Sequence, residues 1–222
     1  MALKGVLLDI DGTLLDSNAA HALAWQAALR RHGHDTDFDT LRRLIGKGGD
    51  KVLMEVARLD IGTPLGEAIT AARREDFKRN RLHGLRPFEG TRALLERFVS
   101  DGLALVVATS SSKEELGPLL EQAGVDDLIT CSATSDDARH SKPDPDIVQA
   151  ALEKAGLRPG EVILLGDTPY DIDAAAAAGV ATVALRGDRW WNDDALRGAV
   201  AIYDHPGHLL RELATLAPYR LN

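Results

Sequence analysis

Acidic residues closely follow two apolar runs of this sequence. Asp9 and Asp11 come after the run 6–8, and Asp167 comes after the run 161–165. Alternate residues of an extended chain point to the same side, so Asp9 and Asp11 present two carboxylates to one point in space. Burial increases the repulsion between such a pair, and a divalent cation relieves it. Because Mg²⁺ favours carboxylates together with phosphate oxygens, this spacing predicts a magnesium site that takes a phosphorylated ligand.

Hydroxyl groups and a lysine lie at the ends of two further predicted strands. Thr109 and Ser110 follow the run 103–108 and offer donors to an anion, and Ser111 is open between that role and a structural one. Lys142 precedes a turn rich in proline, and we interpret it as the end of another strand. Held there, its ammonium can neutralise both a carboxylate and a phosphoryl group. A short motif alone is weak support, but four strand ends with polar groups at one edge of a sheet predict a ligand site.

Some of the polar residues near these positions have a structural explanation. Ser112 begins a capping-box pattern that would start a helix, and Asp144 is predicted to cap the next helix with Pro145 at its first position. Thr168 is also predicted as a helix cap, with Asp171 as the acidic residue of its capping box. Asp171 therefore has two candidate roles, in that cap and in the metal site.

The elements that must position these residues are strands that alternate with helices. Near-continuous apolar runs are typical of strands buried on both faces, as parallel strands are. We predict strands at 3–8, 103–108, 161–165 and 181–185, with shorter edge strands at 128–130 and 201–203, and helices at 91–99, 114–123, 145–155 and 170–178. The alternation predicts an α/β fold with a doubly wound parallel sheet.

One long stretch interrupts the alternation. Residues 16–86 show helical patterns punctuated by glycines and no convincing strand, which predicts an all-helical cap domain inserted into a core domain formed by residues 1–15 and 87–222. This stretch has 13 basic and 10 acidic residues, although the whole chain has a net charge of −8. A more basic cap suits an anionic substrate, and an ordinary solvated helical surface explains the same count.

Composition narrows the class of protein. With 222 residues, 45% apolar and 27% charged, the chain can bury a core, and its acidic balance disfavours nucleic acid as a partner. The single cysteine excludes a disulfide framework and suits a reducing compartment. The longest uncharged run, 174–185, is too short to cross a membrane. We therefore expect a cytoplasmic protein, a monomer or weak dimer, that acts on a small phosphorylated metabolite.

Four motifs in this order resemble the haloacid dehalogenase superfamily, in the branch with a helical cap after the first strand. They are Asp-x-Asp-Gly-Thr at Asp9 to Thr13, the strand-end Thr109, Lys142-Pro143-x-Pro145-Asp146, and Gly-Asp-x-x-x-Asp from Gly166 to Asp171. The resemblance covers nearly the whole chain. It implies a Rossmann-like core and phosphoryl transfer that depends on Mg²⁺ and passes through an aspartyl-phosphate.

The same resemblance implies the roles of individual residues. Asp9 would be the nucleophile and Asp11 the general acid and then base. Thr109 and Lys142 would bind the phosphoryl group, with Ser110 and Ser111 beside them. The metal ligands would be Asp9, the Asp11 carbonyl and Asp167, with Asp171 as a further candidate. The true dehalogenases lack the second aspartate, so Asp11 argues against dehalogenation.

Within the superfamily, the sequence resembles the phosphoglycolate phosphatase and β-phosphoglucomutase branch. His21 resembles the histidine that helps govern the acid/base aspartate in those mutases, and Lys47 is a candidate substrate contact in the glycine-rich loop 46–49. Gly49 stands where the mutases tend to carry a phosphate-binding arginine, and Gly166 replaces the acidic residue that often precedes Asp167 in them. For these two reasons we favour a phosphatase over a sugar phosphomutase. A phospho-accepting receiver domain is disfavoured by the helical insertion, and a non-catalytic binding module by the complete set of motif residues.

Overall fold

Six parallel strands form one sheet in the computed structural model, which describes residues 3–215. The strands are β1 (Gly5–Leu8), β2 (Ala104–Ala108), β3 (Cys131–Ala133), β4 (Val162–Gly166), β5 (Ala181–Leu185) and β6 (Ala201–Tyr203). The helices are α1 (Asn18–Arg31), α2 (Phe38–Leu44), α3 (Gly49–Ala57), α4 (Pro64–Asn80), α5 (Thr91–Ser100), α6 (Lys113–Ala123), α7 (Asp146–Ala155), α8 (Pro169–Ala177) and α9 (Pro206–Glu212). The predicted doubly wound parallel sheet is confirmed.

The order of the strands, β3-β2-β1-β4-β5-β6, changes direction between β1 and β4. Leu8 at the end of β1 pairs in register with Leu165 near the end of β4. The amide of Asp9 also donates to the Leu165 carbonyl at 2.9 Å, which extends the pairing by one residue. In sheets of this kind the ligand crevice lies beyond the carboxyl ends of the strands where the winding reverses. The segments after β1 and β4 therefore meet at that crevice.

Two apolar layers cover the faces of the sheet. One includes alternate residues of β1 and β2 packed against helices such as α5 and α6, with Phe98 and Leu119 fully buried. The other packs the opposite side chains of the strands against α7 and α8, as Leu7 and Ile147 do. A sheet covered on both faces needs strands that are apolar throughout, which is why these runs do not alternate with polar residues.

The strand predicted at 128–130 lies three residues later, as β3. Residues Asp126–Leu128 form a turn of 3-10 helix instead, and Leu128 and Ile129 pack against the core from that turn. Strand pairing begins only at Cys131, opposite Val106. Apolar side chains alone did not distinguish a buried turn from a short edge strand, and this boundary prediction was wrong.

Four helices, α1 to α4, lie between β1 and α5, and we refer to them as the helical insert. They enclose an apolar cluster of their own, in which Trp25, Leu41, Leu53 and Ile69 are buried. Helix α1 packs along α4. Within residues 3–215, no helix has the length and apolar character needed to cross a membrane.

Candidate active site

Three buried aspartates meet at the crevice between β1 and β4. Carboxylate oxygens of Asp9, Asp167 and Asp171 lie within 4.8 Å of one another. Asp9 follows β1, Asp167 follows β4, and Asp171 lies in the first turn of α8. Thr168 caps α8, and its hydroxyl and amide donate to one oxygen of Asp171 at 2.7 and 3.0 Å, as the capping-box pattern predicts. The other oxygen of Asp171 remains for the site.

A buried lysine joins two of these aspartates. The ammonium of Lys142 donates to Asp9 Oδ1 and to Asp171 Oδ1, both at 2.7 Å, and the lysine is fully buried. Burial alone would lower the pKa of Lys142, but the charges of Asp171 and Asp9 raise it above its usual value. Lys142 is therefore a permanent positive charge, and Asp171 holds it against Asp9.

The element that carries Lys142 differs from the prediction. Lys142 lies in the loop between β3 and α7, nine positions after the last residue of the strand, and not at a strand end. Asp144 does not cap α7, since Pro145 occupies the cap position and the Asp144 carboxylate pairs with Lys51 of the helical insert. Beside it, the Ser141 hydroxyl donates to Asp50 of the insert at 2.6 Å. Contacts to a distant segment have replaced the local cap.

The charge of the cluster fits a divalent cation. Three carboxylates and one ammonium leave two negative charges in a buried space. Burial raises the pKa of Asp9 to about 7, with Asp171 and Asp11 adding to the shift and Lys142 opposing it. Burial, together with Asp171 and Asp9, also raises the pKa of Asp167 well above its usual value. A bound cation would favour the ionised forms of both carboxyls.

Neighbouring groups also suit a hydrated metal ion. The Asn18 side chain donates to Asp167 Oδ2 at 2.7 Å, while its own buried oxygen Oδ1 has no hydrogen-bond partner among the described residues. A water molecule on the metal could donate to that oxygen. Gly12 adopts a φ of +84°, and a Cβ there would collide with Asn18 and Asp167. The site therefore requires glycine at this turn, and its oxygen-rich donor set is the kind that Mg²⁺ prefers.

Asp11 lies outside the carboxylate cluster and has donors of its own. Ser17 and Ser111 donate to its two oxygens at 2.5 and 2.8 Å, and His21 Nε2 lies 2.7 Å from Oδ1. Burial would raise the pKa of Asp11, but the interactions with His21, Ser17 and Ser111 together hold that pKa below its usual range. Asp11 is therefore ionised in this arrangement, which is its proton-accepting form.

Arg73 of α4 determines which ring nitrogen of His21 carries the proton. A guanidinium group has no acceptor, so its contact with His21 Nδ1 requires that Nδ1 accept and that Nε2 carry the proton donated to Asp11. The His21 ring stacks on Phe77 with centroids 4.0 Å apart. Arg73 also pairs with Glu115 of α6. This chain of contacts connects the helical insert to the core directly behind Asp11.

A cavity of about 330 Å³ opens above Asp9 and Asp11, between the helical insert and the core. Thr109, Ser110 and Ser111 line one side of it, and Lys47 lines the insert side. The Ser110 hydroxyl donates to the Gly46 carbonyl at 3.0 Å, so it connects the two parts of the chain. Lys47 pairs with Glu55 and lies 4.8 Å from the centre of the Tyr170 ring. A cavity of this size is at the small end of those that take metabolites.

Several residues of the site were missed in the sequence. Thr13 donates to Asp167 and Asp9 at 3.2 and 3.4 Å, and Asn18 contacts Asp167. Both lie close to the first motif in sequence, and that proximity could have identified them. Arg73 had no such signal, because it lies in an ordinary charged helix far along the chain from His21.

The predicted cap at Ser112 is found in part. Ser112 precedes the first residue of α6, but its hydroxyl donates to the Glu115 carboxylate at 3.1 Å and not to the helix backbone.

A model of the family described as haloacid dehalogenase-like hydrolase matches residues 6–185. This chain belongs to that family. Over 216 residues it is 30% identical to the N-acetylmuramic acid 6-phosphate phosphatase of Pseudomonas aeruginosa, and the alignment covers 95% of this chain and 94% of that protein. Over 222 residues it is 31% identical to the phosphoglycolate phosphatase of Yersinia pestis, covering 98% and 93% of the two chains.

Solved structures share the fold of this family member. A hydrolase from Pseudomonas syringae superposes with a TM-score of 0.88 at 27% identity, covering 96% of this chain and 99% of the other. A β-phosphoglucomutase from Clostridium difficile superposes with a TM-score of 0.80 at 20% identity, covering 98% and 97% of the two chains. At that identity the second likeness shows the fold alone. The family assignment makes this chain a hydrolase.

Proposed function

We propose that this chain is a Mg²⁺-dependent phosphatase that hydrolyses a small phosphate monoester, a sugar phosphate or a phosphoglycolate-like compound, through an aspartyl-phosphate on Asp9. The observation that carries the proposal is the position of Asp9. Its carboxylate lies in the wall of the cavity, is held by Lys142 at 2.7 Å, and belongs to a buried cluster that a divalent cation would complete. The two curated relatives named above are phosphatases of small phosphorylated compounds.

Asp9 acts as the nucleophile. One of its oxygens attacks phosphorus, the bond from phosphorus to the alcohol oxygen breaks, and the alcohol leaves. In the second step water attacks phosphorus, the bond to Asp9 breaks, and inorganic phosphate leaves with the carboxylate restored. A covalent intermediate divides one difficult displacement into two easier ones. Lys142 donates to Asp9 Oδ1 and its fixed positive charge offsets the charge on the phosphoryl oxygens.

Asp11 moves the protons of both steps. It donates to the departing alkoxide the proton that it took up in the previous turnover, and it then accepts one from the attacking water. The ionised form held by Ser17, Ser111 and His21 is the form needed for the second step. Arg73 keeps His21 as a donor to Asp11 and acts as a positioning residue for it.

Asp9, the Asp11 carbonyl and Asp167 would hold the Mg²⁺, whose charge would neutralise phosphoryl oxygens and keep Asp9 ionised. Asp171 serves through Lys142, because its remaining oxygen is bonded to that ammonium. Thr109 and Ser110, with Lys142, bind the phosphoryl group, while Ser111 contributes through Asp11. We further propose that residues 16–86 form a cap domain on a core of residues 1–15 and 87–222, with Lys47 facing the substrate.

The structure gives a physical reason to prefer a phosphatase to a mutase. A mutase must retain a bisphosphate intermediate, which favours a cap cation on the distal phosphate. A Cβ at Gly49 would lie 3.1 Å from Cζ2 and 3.3 Å from Cη2 of the Trp25 ring. Any larger residue at Gly49 would have to displace that ring, which belongs to the core of the insert. An arginine at that position would therefore require the Trp25 ring to shift by a few tenths of an ångström, which disfavours it.

The test measures phosphate release from a panel of monoesters with Mg²⁺, with excess chelator, and with Asp9→Asn. Chelation and Asp9→Asn should each reduce release to background, while circular dichroism should show that the protein remains folded at the assay temperature. Asp173 lies in the same helix, α8, but is exposed, so it provides a control, and Asp173→Asn should retain full activity. Full activity in chelator would contradict the metal assignment. Phosphorus NMR of a hexose 1-phosphate with a trace of sugar bisphosphate tests the alternative, because net conversion to hexose 6-phosphate would indicate a mutase.

A further inference from the structure

Among the described residues, four cationic side chains line the cavity, and three of them already pair with a carboxylate. Lys47 pairs with Glu55, Arg73 with Glu115, and Arg74 with Glu114. The fourth, Arg139, is exposed and lines the cavity from the loop between β3 and α7. Within residues 3–215, Arg139 has no ion pair and no hydrogen bond from its guanidinium group. Arg139 is therefore the cavity-lining cation that has no carboxylate partner in the described part of the chain.

This lack of a partner is not due to a shortage of acidic residues nearby. Four aspartates lie within seven residues of Arg139, and each is engaged elsewhere. Asp136 accepts from the Lys113 amide at 2.8 Å and Asp137 pairs with Lys154 at 2.7 Å. Asp144 pairs with Lys51, and Asp146 accepts from the His140 amide at 3.0 Å. Each of these four carboxylates has a partner of its own, and the guanidinium group of Arg139, which lines the cavity, has none among the described residues.

The backbone on both sides of Arg139 is held in place. Before it, Thr134 and Asp137 form a capping box around a short 3-10 turn. After it, the Ser141 hydroxyl donates to Asp50 of the helical insert, and Lys142 is anchored to Asp9 and Asp171. Arg139 lies three positions before that anchored lysine in the chain. An unpaired side chain on a restrained backbone, next to the reacting centre, is suited to contact a ligand.

We propose that Arg139 binds a second anionic group, a carboxylate, on the alcohol part of the substrate. The preferred substrate is then a phosphate monoester of a small hydroxy acid. The inference rests on the proposed phosphatase function and adds the residue that selects between the two kinds of substrate named there. The planar guanidinium group presents paired donors that match a carboxylate, and a second phosphate offers similar oxygens. The 330 Å³ cavity favours the smaller of these two groups.

The experiment compares kcat/KM for 2-phosphoglycolate with kcat/KM for its methyl ester, which has the same phosphate and no carboxylate charge. A sugar bisphosphate forms a third arm that separates a second phosphate from a carboxylate. We expect the wild-type enzyme to prefer 2-phosphoglycolate over the ester by about 10- to 100-fold, the usual effect of one charge-assisted hydrogen-bonded pair. In Arg139→Ala that ratio should fall close to one, mainly through KM, and Arg139→Lys should retain part of it.

Arg197 provides the matched control, because it is also exposed and has no ion pair among the described residues, but does not line the cavity. Arg197→Ala should keep the wild-type ratio. An unchanged ratio in Arg139→Ala, or an equal loss on both substrates, would overturn the proposal. Preference for the bisphosphate over 2-phosphoglycolate would overturn the carboxylate assignment. Failure of the wild-type enzyme to hydrolyse any of the three esters would instead contradict the proposed phosphatase function.

Discussion

Replacing Lys142 by methionine should destabilise the protein strongly when no divalent cation is present. Methionine keeps an unbranched apolar side chain of comparable length but removes the charge. In the wild-type protein that charge lies 2.7 Å from both Asp9 and Asp171, and none of the three side chains is appreciably exposed. Without it, the three carboxylates of the cluster share one buried space with no ammonium to offset them.

The size of the effect follows from this burial. Removing one partner of a buried ion pair costs about 3–5 kcal/mol of unfolding free energy, because the remaining charge is left uncompensated. For a chain of this length, each kcal/mol lowers the melting temperature by about 2–4 °C. The expected decrease is therefore about 6–20 °C in excess chelator. Addition of Mg²⁺ should recover part of it, because the cation replaces some of the lost positive charge.

The loss should be larger at pH 8 than at pH 5.5. Burial raises the pKa of Asp9 to about 7, compared with about 4 for an aspartate in the unfolded chain. Between those two values the folded state holds a proton that the unfolded state has released, so stability decreases as the pH rises through this window. Without Lys142 the pKa of Asp9 rises further. At pH 5.5 the folded variant protonates the Asp9 carboxyl at little cost, whereas at pH 8 it must either bury the charge or take up a proton that the unfolded chain does not hold.

Thermal unfolding followed by circular dichroism at both pH values, with chelator and with Mg²⁺, measures these differences. Lys154→Met is the control, because Lys154 pairs with Asp137 at a partly exposed site and should cost less than about 1 kcal/mol. A Lys142→Met protein with the same melting temperature as the wild type in chelator would refute the reasoning. So would an equal loss at the two pH values, since it would mean that Asp9 remains ionised regardless of its surroundings.

Three further predictions concern the network around the site. Asp11→Asn should lower kcat by about 10²–10⁴-fold for alkyl phosphates and much less for nitrophenyl phosphate, because the nitrophenolate leaving group needs no proton. Equal losses of kcat on the two substrates would contradict the proton-transfer role of Asp11. Arg73→Met removes the group that requires Nδ1 of His21 to accept, so Asp11 loses a positioned partner, and steady-state kinetics should show a lower kcat for alkyl phosphates with little change in KM. Arg42→Met removes the 2.6 Å pair between the insert and Asp188 and should cost about 1–3 kcal/mol in urea unfolding, since the partner left behind is partly exposed.

Local sequence signals were sufficient where an element depends on its own residues. The capping box from Thr168 to Asp171 formed as predicted, because its donors and acceptors lie within one turn of chain. The buried strands β1 and β4 were also identified, since a strand covered on both faces must be apolar throughout. The edge strand β3 and the cap at Asp144 were misplaced. Both depend on contacts with other segments, with β2 for the strand and with Lys51 for the aspartate.

The sequence by itself determined which side chains gather at the crevice. Parallel strands present their carboxyl ends at the same edge, so apolar runs followed by Asp9 and Asp167 are enough to bring these two together. Only the tertiary structure decided which atoms each side chain contacts. Lys142 reaches Asp9 from a loop 133 positions away in the chain, and Arg73 reaches His21 from 52 positions away. A hydrogen bond is made or lost within a few tenths of an ångström, and burial sets the charge state of each carboxyl. Both depend on how distant elements pack, and no local pattern in the sequence encodes that packing.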